Sequence, residues 1–172
     1  MIDFIVLGLP RSGTTWCANW LTTDRSYCHH DASAYTLDLD SLGVPGRITG
    51  LADTGLGNWP DVVNAYHARK IVIDRDPQEC LASTSRLLCV ERAEIGSLEG
   101  VQNAIHFKFK SLFEERSAKT IYQYLTGLKF DVERWKLLKT FYVSPYDAEM
   151  IHRAGGVQYA MSNVESMFSK VR

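Results

Sequence analysis

Gly8-Leu9-Pro10-Arg11-Ser12-Gly13-Thr14-Thr15 gathers two glycines, three hydroxyls and one guanidinium into eight consecutive residues. Where such a turn joins a strand to a helix, several backbone N–H groups and the positive end of the helix dipole converge on one spot, which makes an anion cradle. Gly13 allows close approach of the backbone, Thr14 and Thr15 add donors, and Arg11 adds a planar cationic fork. A second cation, Arg75, follows Ile71-Val72-Ile73-Asp74, at the end of a strand where ligands of open α/β sheets gather; taken alone it also suits a surface ion pair with Asp76 or Glu79. Ser83 lies eight positions further on, about two helical turns. For proton transfer the candidates are Asp31, with His30 beside it as a partner, and Asp53. A lone Asp with a pKa near ~3.9 is a weak base unless burial or a His partner changes it. Asp31 also suits a helix N-cap and Asp53 a turn cap in Asp53-Thr54-Gly55. His29-His30-Asp31 is a poor metal site, because adjacent histidines rarely converge on one ion and no further ligand cluster accompanies them.

These groups need a scaffold of alternating strands and helices. Phe4 to Leu7 is a continuous apolar run and reads as a buried strand. Thr14 to Leu21 reads as a helix with Trp16, Ala18, Trp20 and Leu21 for packing. Ser26 to His30 and Arg47 to Ala52 read as short strands. A helix opens at Asn58-Trp59-Pro60 and runs to about His67, with Pro in its first turn. Lys70 to Asp74 is a core strand. Asp76-Pro77-Gln78-Glu79 then has the form of a helix start, with Asp76 the N-cap, and Cys80, Leu81, Ser83, Thr84, Leu87 and Leu88 continuing it. Beyond Ser97 the expectation is mostly helical, over 101–126, 145–153 and 157–169, with Gly127 and Gly155 as stops. The alternation from Ile105 to Lys110 leaves a strand open there, and 129–143 is undecided. The expected fold class is α/β: a three-layer, P-loop-like parallel sheet flanked by helices, with a mostly helical C-terminal half, in one domain over 1–172.

Composition bounds the partners. Of 172 residues, 45% are hydrophobic and 23% charged, enough to build a real core. Lys plus Arg (19) nearly cancels Asp plus Glu (20), so anion binding must be local and nucleic acid is not an expected partner. Phe107-Lys108-Phe109-Lys110, with Arg116 and Lys119, interleaves bases and aromatics as single-strand binders do. Glu114 and Glu115 interrupt that charge, and a solvated amphipathic face is the better reading. No apolar run is long enough for a bilayer. The N-terminus lacks a basic n-region and a cleavage site. The four cysteines Cys17, Cys28, Cys80 and Cys89 include no CxxC pair. The expectation is a cytoplasmic protein with reduced thiols and no membrane span.

The first turn matches the G-x-x-x-x-G-K-[ST] phosphate-loop pattern except that Thr14 stands in place of the Lys. Pro10-Arg11-Ser12-Gly13-Thr14-Thr15-Trp16 resembles instead the 5′-phosphosulfate loop of the sulfotransferases, P-[KR]-S-G-T-T-[WL]. Arg75-Asp76-Pro77 followed by Ser83 resembles that family's 3′-phosphate signature. The resemblance covers about residues 3–21 and 68–86. It implies transfer of a sulfuryl group from 3′-phosphoadenosine-5′-phosphosulfate (PAPS) to a hydroxyl or amine, releasing 3′,5′-adenosine bisphosphate, with no metal. It implies that Pro10 to Trp16 hold the 5′ side, with Trp16 on the adenine, and that Arg75 and Ser83 hold the 3′-phosphate. It places the general base near Asp53 by one family precedent and near Cys28-His29-His30-Asp31 by another. The family's C-terminal donor loop has a partial counterpart in Arg153-Ala154-Gly155-Gly156. The acceptor, whether small molecule, glycan or peptide, is left open, as is the oligomeric state. Two other classes share part of the pattern: a divergent P-loop nucleotide or small-molecule kinase, and a catalytically silent nucleotide-binding module.

Overall fold

The computed structural model describes residues 1–88 and 95–142. Five strands form one parallel sheet: β1 Phe4–Gly8, β2 Ser26–His30, β3 Ile48–Asp53, β4 Arg69–Asp74 and β5 Ala104–Lys108, in the order β2-β3-β1-β4-β5. The helices are α1 Thr14–Leu21, α2 Pro60–Ala65, α3 Pro77–Leu88, α4 Glu115–Thr126 and α5 Val132–Tyr142. The α/β expectation holds, and the sheet is built as its hydrophobic runs require. β1 is buried along its whole length and sends alternate residues to the two faces of the sheet. Phe4 and Val6 meet Ile71, Ile73 and the apolar sides of α1, α4 and α5. Ile5 and Leu7 meet Leu51, Val72 and Val63 of α2.

Several helix ends follow their local chemistry. Asp76 Oδ1 accepts from the N–H groups of Gln78 (2.8 Å) and Glu79 (3.1 Å), so it caps α3. Gly127 closes α4 in the left-handed region, with φ 69°. In α4 the buried residues Ala118, Ile121, Tyr122 and Leu125 recur at helical spacing and form one core-facing stripe. In α5, Trp135 and Leu138 are buried, and Trp135 Nε1 donates to the Leu112 carbonyl at 2.9 Å.

Three expectations need adjustment. The helix over 101–126 begins as β5, a short turn at Phe109–Phe113 follows, and α4 starts only at Glu115. Pairing with β4, from Lys70↔Ala104 to Asp74↔Lys108, outweighs local helix propensity there. The helix after Trp59 ends at Ala65, and the undecided 129–143 segment contains α5. The helices expected at 145–153 and 157–169, with the stop at Gly155, lie outside the described residues.

Chain order sets where a ligand can sit. After β1 the chain crosses toward β2 at one edge, and after β4 it crosses toward β5 at the other. β1 and β4 are neighbours, so the strand order reverses between them, the place where open α/β sheets take their ligands. Both candidate anion-binding turns start there.

Candidate functional site

The loop after β1 is a tight, self-bonded turn. Ser12 is buried, its N–H donates to the Leu9 carbonyl at 3.0 Å, and its hydroxyl donates to the same oxygen. Arg11 adopts φ 69° and Gly13 φ 91°. For an arginine this left-handed conformation costs about 1–2 kcal/mol, held here by the bonds around it. Gly13 is required on two counts, its positive φ and its crowding. A Cβ at Gly13 would stand 3.2 Å from both Leu112 and Phe109.

Gly13 is also the N-cap of α1 and brings no capping side chain, and the first turn of the helix has no acidic residue. No side chain therefore caps the N-terminus of α1, the end of a helix that favours an anion. α3 differs, since Asp76 supplies its own carboxylate at that point. Thr14 is buried and Pro10 half-buried, while Arg11 is exposed at the mouth of the turn.

The second turn meets the first directly. A terminal nitrogen of Arg75 donates to the backbone carbonyl of Arg11, and Arg11 Nε donates to Ser83 Oγ at 3.0 Å. Arg75 Nε pairs with Glu79 at 3.3 Å, and its guanidinium lies 4.4 Å over the Phe109 ring. Pro10 to Thr15, Arg75 and Ser83 thus form one cluster. Glu79 is the ion-pair partner the sequence offers Arg75, and Phe109 joins the cluster from the aromatic and basic stretch. The i, i+4 spacing of Arg75 and Glu79 was the available signal for the first.

Of the two roles open to Trp16, core packing is the one its surroundings match. It is 5% exposed, with its ring against Trp20 (4.9 Å) and edge-on to Phe113 (5.2 Å), so it presents no open face for an adenine.

The proton-transfer candidates divide. Asp53 is fully buried and accepts four hydrogen bonds, from the N–H and Oγ of Ser33 and the N–H groups of Gly55 and Leu56, at 2.6–2.8 Å. These bonds, three of them on Oδ1, commit the carboxylate to organising the loops after β2 and β3, which is the turn-cap role. Asp31 has φ 47° and makes no capping bond. Its Oδ1 accepts from the N–H (2.8 Å) and Oγ1 (3.0 Å) of Thr54, while its Oδ2 lies 3.4 Å from His30 Nε2. The same His30 nitrogen is 2.9 Å from Thr15 Oγ1 in the phosphate turn. Burial lowers the pKa of His30, opposed by the negative charges of Asp31 and Asp53. The shift favours the neutral imidazole, the form that can accept a proton.

His29 turns the other way, as alternation along a strand requires, and bonds the Leu42 carbonyl at 2.9 Å. Among the described residues no group of three or more His, Cys, Asp or Glu could hold a metal ion. Cys17, Cys28 and Cys80 are buried free thiols whose pKa is pushed up by burial, leaving none poised as a nucleophile. Cys89 and Arg153-Ala154-Gly155-Gly156 lie outside the described residues. In the basic stretch, Phe107 and Phe109 are half-buried against the core and Lys108 and Lys110 are exposed, an amphipathic arrangement. No described helix is long and apolar enough to cross a membrane.

The chain is thus an α/β protein whose parallel sheet carries, past the ends of β1 and β4, a cluster of two arginines and several hydroxyls, with His30 bonded to Thr15 at its side. No family model, curated protein or solved structure matches it.

Proposed function

We propose that this chain is a sulfotransferase that moves a sulfuryl group from PAPS to a hydroxyl or amine of an acceptor. The observation that carries the reading is the junction of the two turns, in which Arg75 reaches the Arg11 carbonyl and Arg11 reaches Ser83. A donor with phosphates at both the 5′ and 3′ positions needs two anion sites, and this junction brings two cations and the N-terminus of α1 together. The leading N–H groups of α1, with Arg11, Thr14 and Thr15, would hold the 5′ side. Arg75 and Ser83 would hold the 3′-phosphate.

In the transfer, the acceptor oxygen or nitrogen bonds to sulfur. The bond from sulfur to the 5′-phosphate oxygen breaks with its electron pair on that oxygen, and the acceptor's proton goes to His30. Charge on the moving group and the departing phosphate is offset by donors fixed in advance. Asp31, braced by Thr54, sits beside His30 and stabilises its protonated form. Thr15 also weighs against the kinase alternative. In the phosphate-loop pattern the hydroxyl at this position serves Mg²⁺, whereas here it is bonded to His30.

The test is thermal unfolding with nucleotides. Without Mg²⁺, 3′,5′-adenosine bisphosphate at a hundred times its Kd should stabilise the protein by about 2.7 kcal/mol, and ATP with Mg²⁺ should not. The reverse outcome would select a kinase. Bisphosphate binding without turnover on a broad acceptor panel would select a silent nucleotide-binding module.

A further inference from the structure

We propose that Phe109 is a positioning residue for the donor site, holding Arg75 in the orientation that makes the protein prefer nucleotides bearing a 3′-phosphate. The inference deepens the sulfotransferase reading and rests on it.

Sheet register brings the two residues together. β4 and β5 run parallel to Asp74↔Lys108, so Arg75 and Phe109 are the next residues on neighbouring strands, leaving the sheet at the same level. Phe109 opens the turn at Phe109–Phe113. Its ring lies under the Arg75 guanidinium at 4.4 Å and 3.2 Å from where a Gly13 Cβ would stand. One half-buried side chain therefore walls the first turn and seats the cation of the second. It is itself held against Phe113, with ring centroids 5.3 Å apart.

The seat matters because the bond to the Arg11 carbonyl holds one terminal nitrogen of Arg75, whereas a stacked ring holds the whole guanidinium plane. Its pair with Glu79 is between a largely buried guanidinium and a carboxylate whose side chain is 65% exposed, and such pairs contribute little. That carboxylate also competes with any phosphate for the guanidinium. The Arg11 carbonyl and Glu79 occupy two of the five guanidinium N–H groups, leaving three for a phosphate. A planar, weakly hydrated guanidinium stacks on an aromatic face. Stacking removes rotamer freedom before the ligand arrives, which raises affinity without adding a contact to it.

The readout is the ratio of affinities for 3′,5′-adenosine bisphosphate and adenosine 5′-monophosphate, ligands that differ only in the 3′-phosphate. Phe109→Leu keeps apolar bulk and removes the π face, and should lower the ratio about fivefold. Phe109→Trp restores a π face and should restore the ratio. General loosening of the fold would weaken both nucleotides together and leave the ratio unchanged. In the unmodified protein, the Arg75 side-chain protons nearest the guanidinium should resonate upfield of their ordinary positions because of the ring current. Ordinary shifts there, or a bisphosphate preference that survives intact in Phe109→Leu, would overturn the role of Phe109 while leaving the donor site standing. A wild-type protein that binds both nucleotides alike would overturn the donor site and this inference with it.

Discussion

Arg75 donates a hydrogen bond to the backbone carbonyl of Arg11, 64 residues earlier in the chain. That carbonyl belongs to a residue with φ 69°, between Pro10 and the buried Ser12. The second anion-binding element thus meets the first at its backbone, beside the residues that would hold the 5′ side.

Replacing Arg75 with Ala removes a charge-assisted phosphate contact worth about 1.5–3 kcal/mol. Affinity for 3′,5′-adenosine bisphosphate should fall by a factor of roughly ten to a hundred. Affinity for adenosine 5′-monophosphate should fall far less. Calorimetric titration of both ligands checks this, and equal losses would remove Arg75 from the 3′ site.

His30 links stability to pH. Its pKa is lowered in the folded protein, first by burial. Above its ordinary value of 6.5 the ring is neutral in both folded and unfolded chains, and stability is at its full level. As pH falls below that value the unfolded chain takes up the proton first. Stability therefore declines until pH has passed through the lower, folded pKa. Urea unfolding across this window should show the decline, and His30→Gln should flatten it. An unchanged slope in the variant would exclude His30 as its source. The same variant should abolish sulfuryl transfer and retain bisphosphate binding.

Asp53→Asn tests the division between structure and chemistry. The amide can accept at one atom only, so some of the N–H groups of Ser33, Gly55 and Leu56 lose their acceptor. A cost of about 2–4 kcal/mol is expected, read from denaturant midpoints. Transfer by the fraction that remains folded should persist. A fully stable but inactive Asp53→Asn protein would return Asp53 to the role of base.

Gly13→Ala meets two obstacles, the left-handed backbone and the Phe109 and Leu112 side chains at 3.2 Å. The backbone alone should cost about 1–2 kcal/mol, and bisphosphate binding should be lost because the turn must shift. Wild-type affinity in this variant would show that the turn does not grip the ligand.

Much of the scaffold was legible locally. The apolar run at Phe4, the Asp76-Pro77 helix start and the glycine stop at Gly127 depend on near neighbours and recur in the fold. The strand expected over 47–52 runs Ile48–Asp53, a shift of one residue at each end. β5 was obscured because Ala104–Lys108 satisfies two patterns at once, and pairing with a strand some 34 residues away selects between them.

The sequence by itself determined the chemistry on offer: a glycine-bounded, hydroxyl-rich turn after one strand, an arginine after another, and histidine beside aspartate. Tertiary structure decided which of these act together. It buried Trp16, spent Asp53 on four hydrogen bonds, turned His30 toward Thr15 and seated Arg75 on Phe109. Hydrophobic periodicity and capping report interactions within a few residues. Burial and contacts between residues 15 to 34 positions apart follow from strand order, which no local pattern encodes.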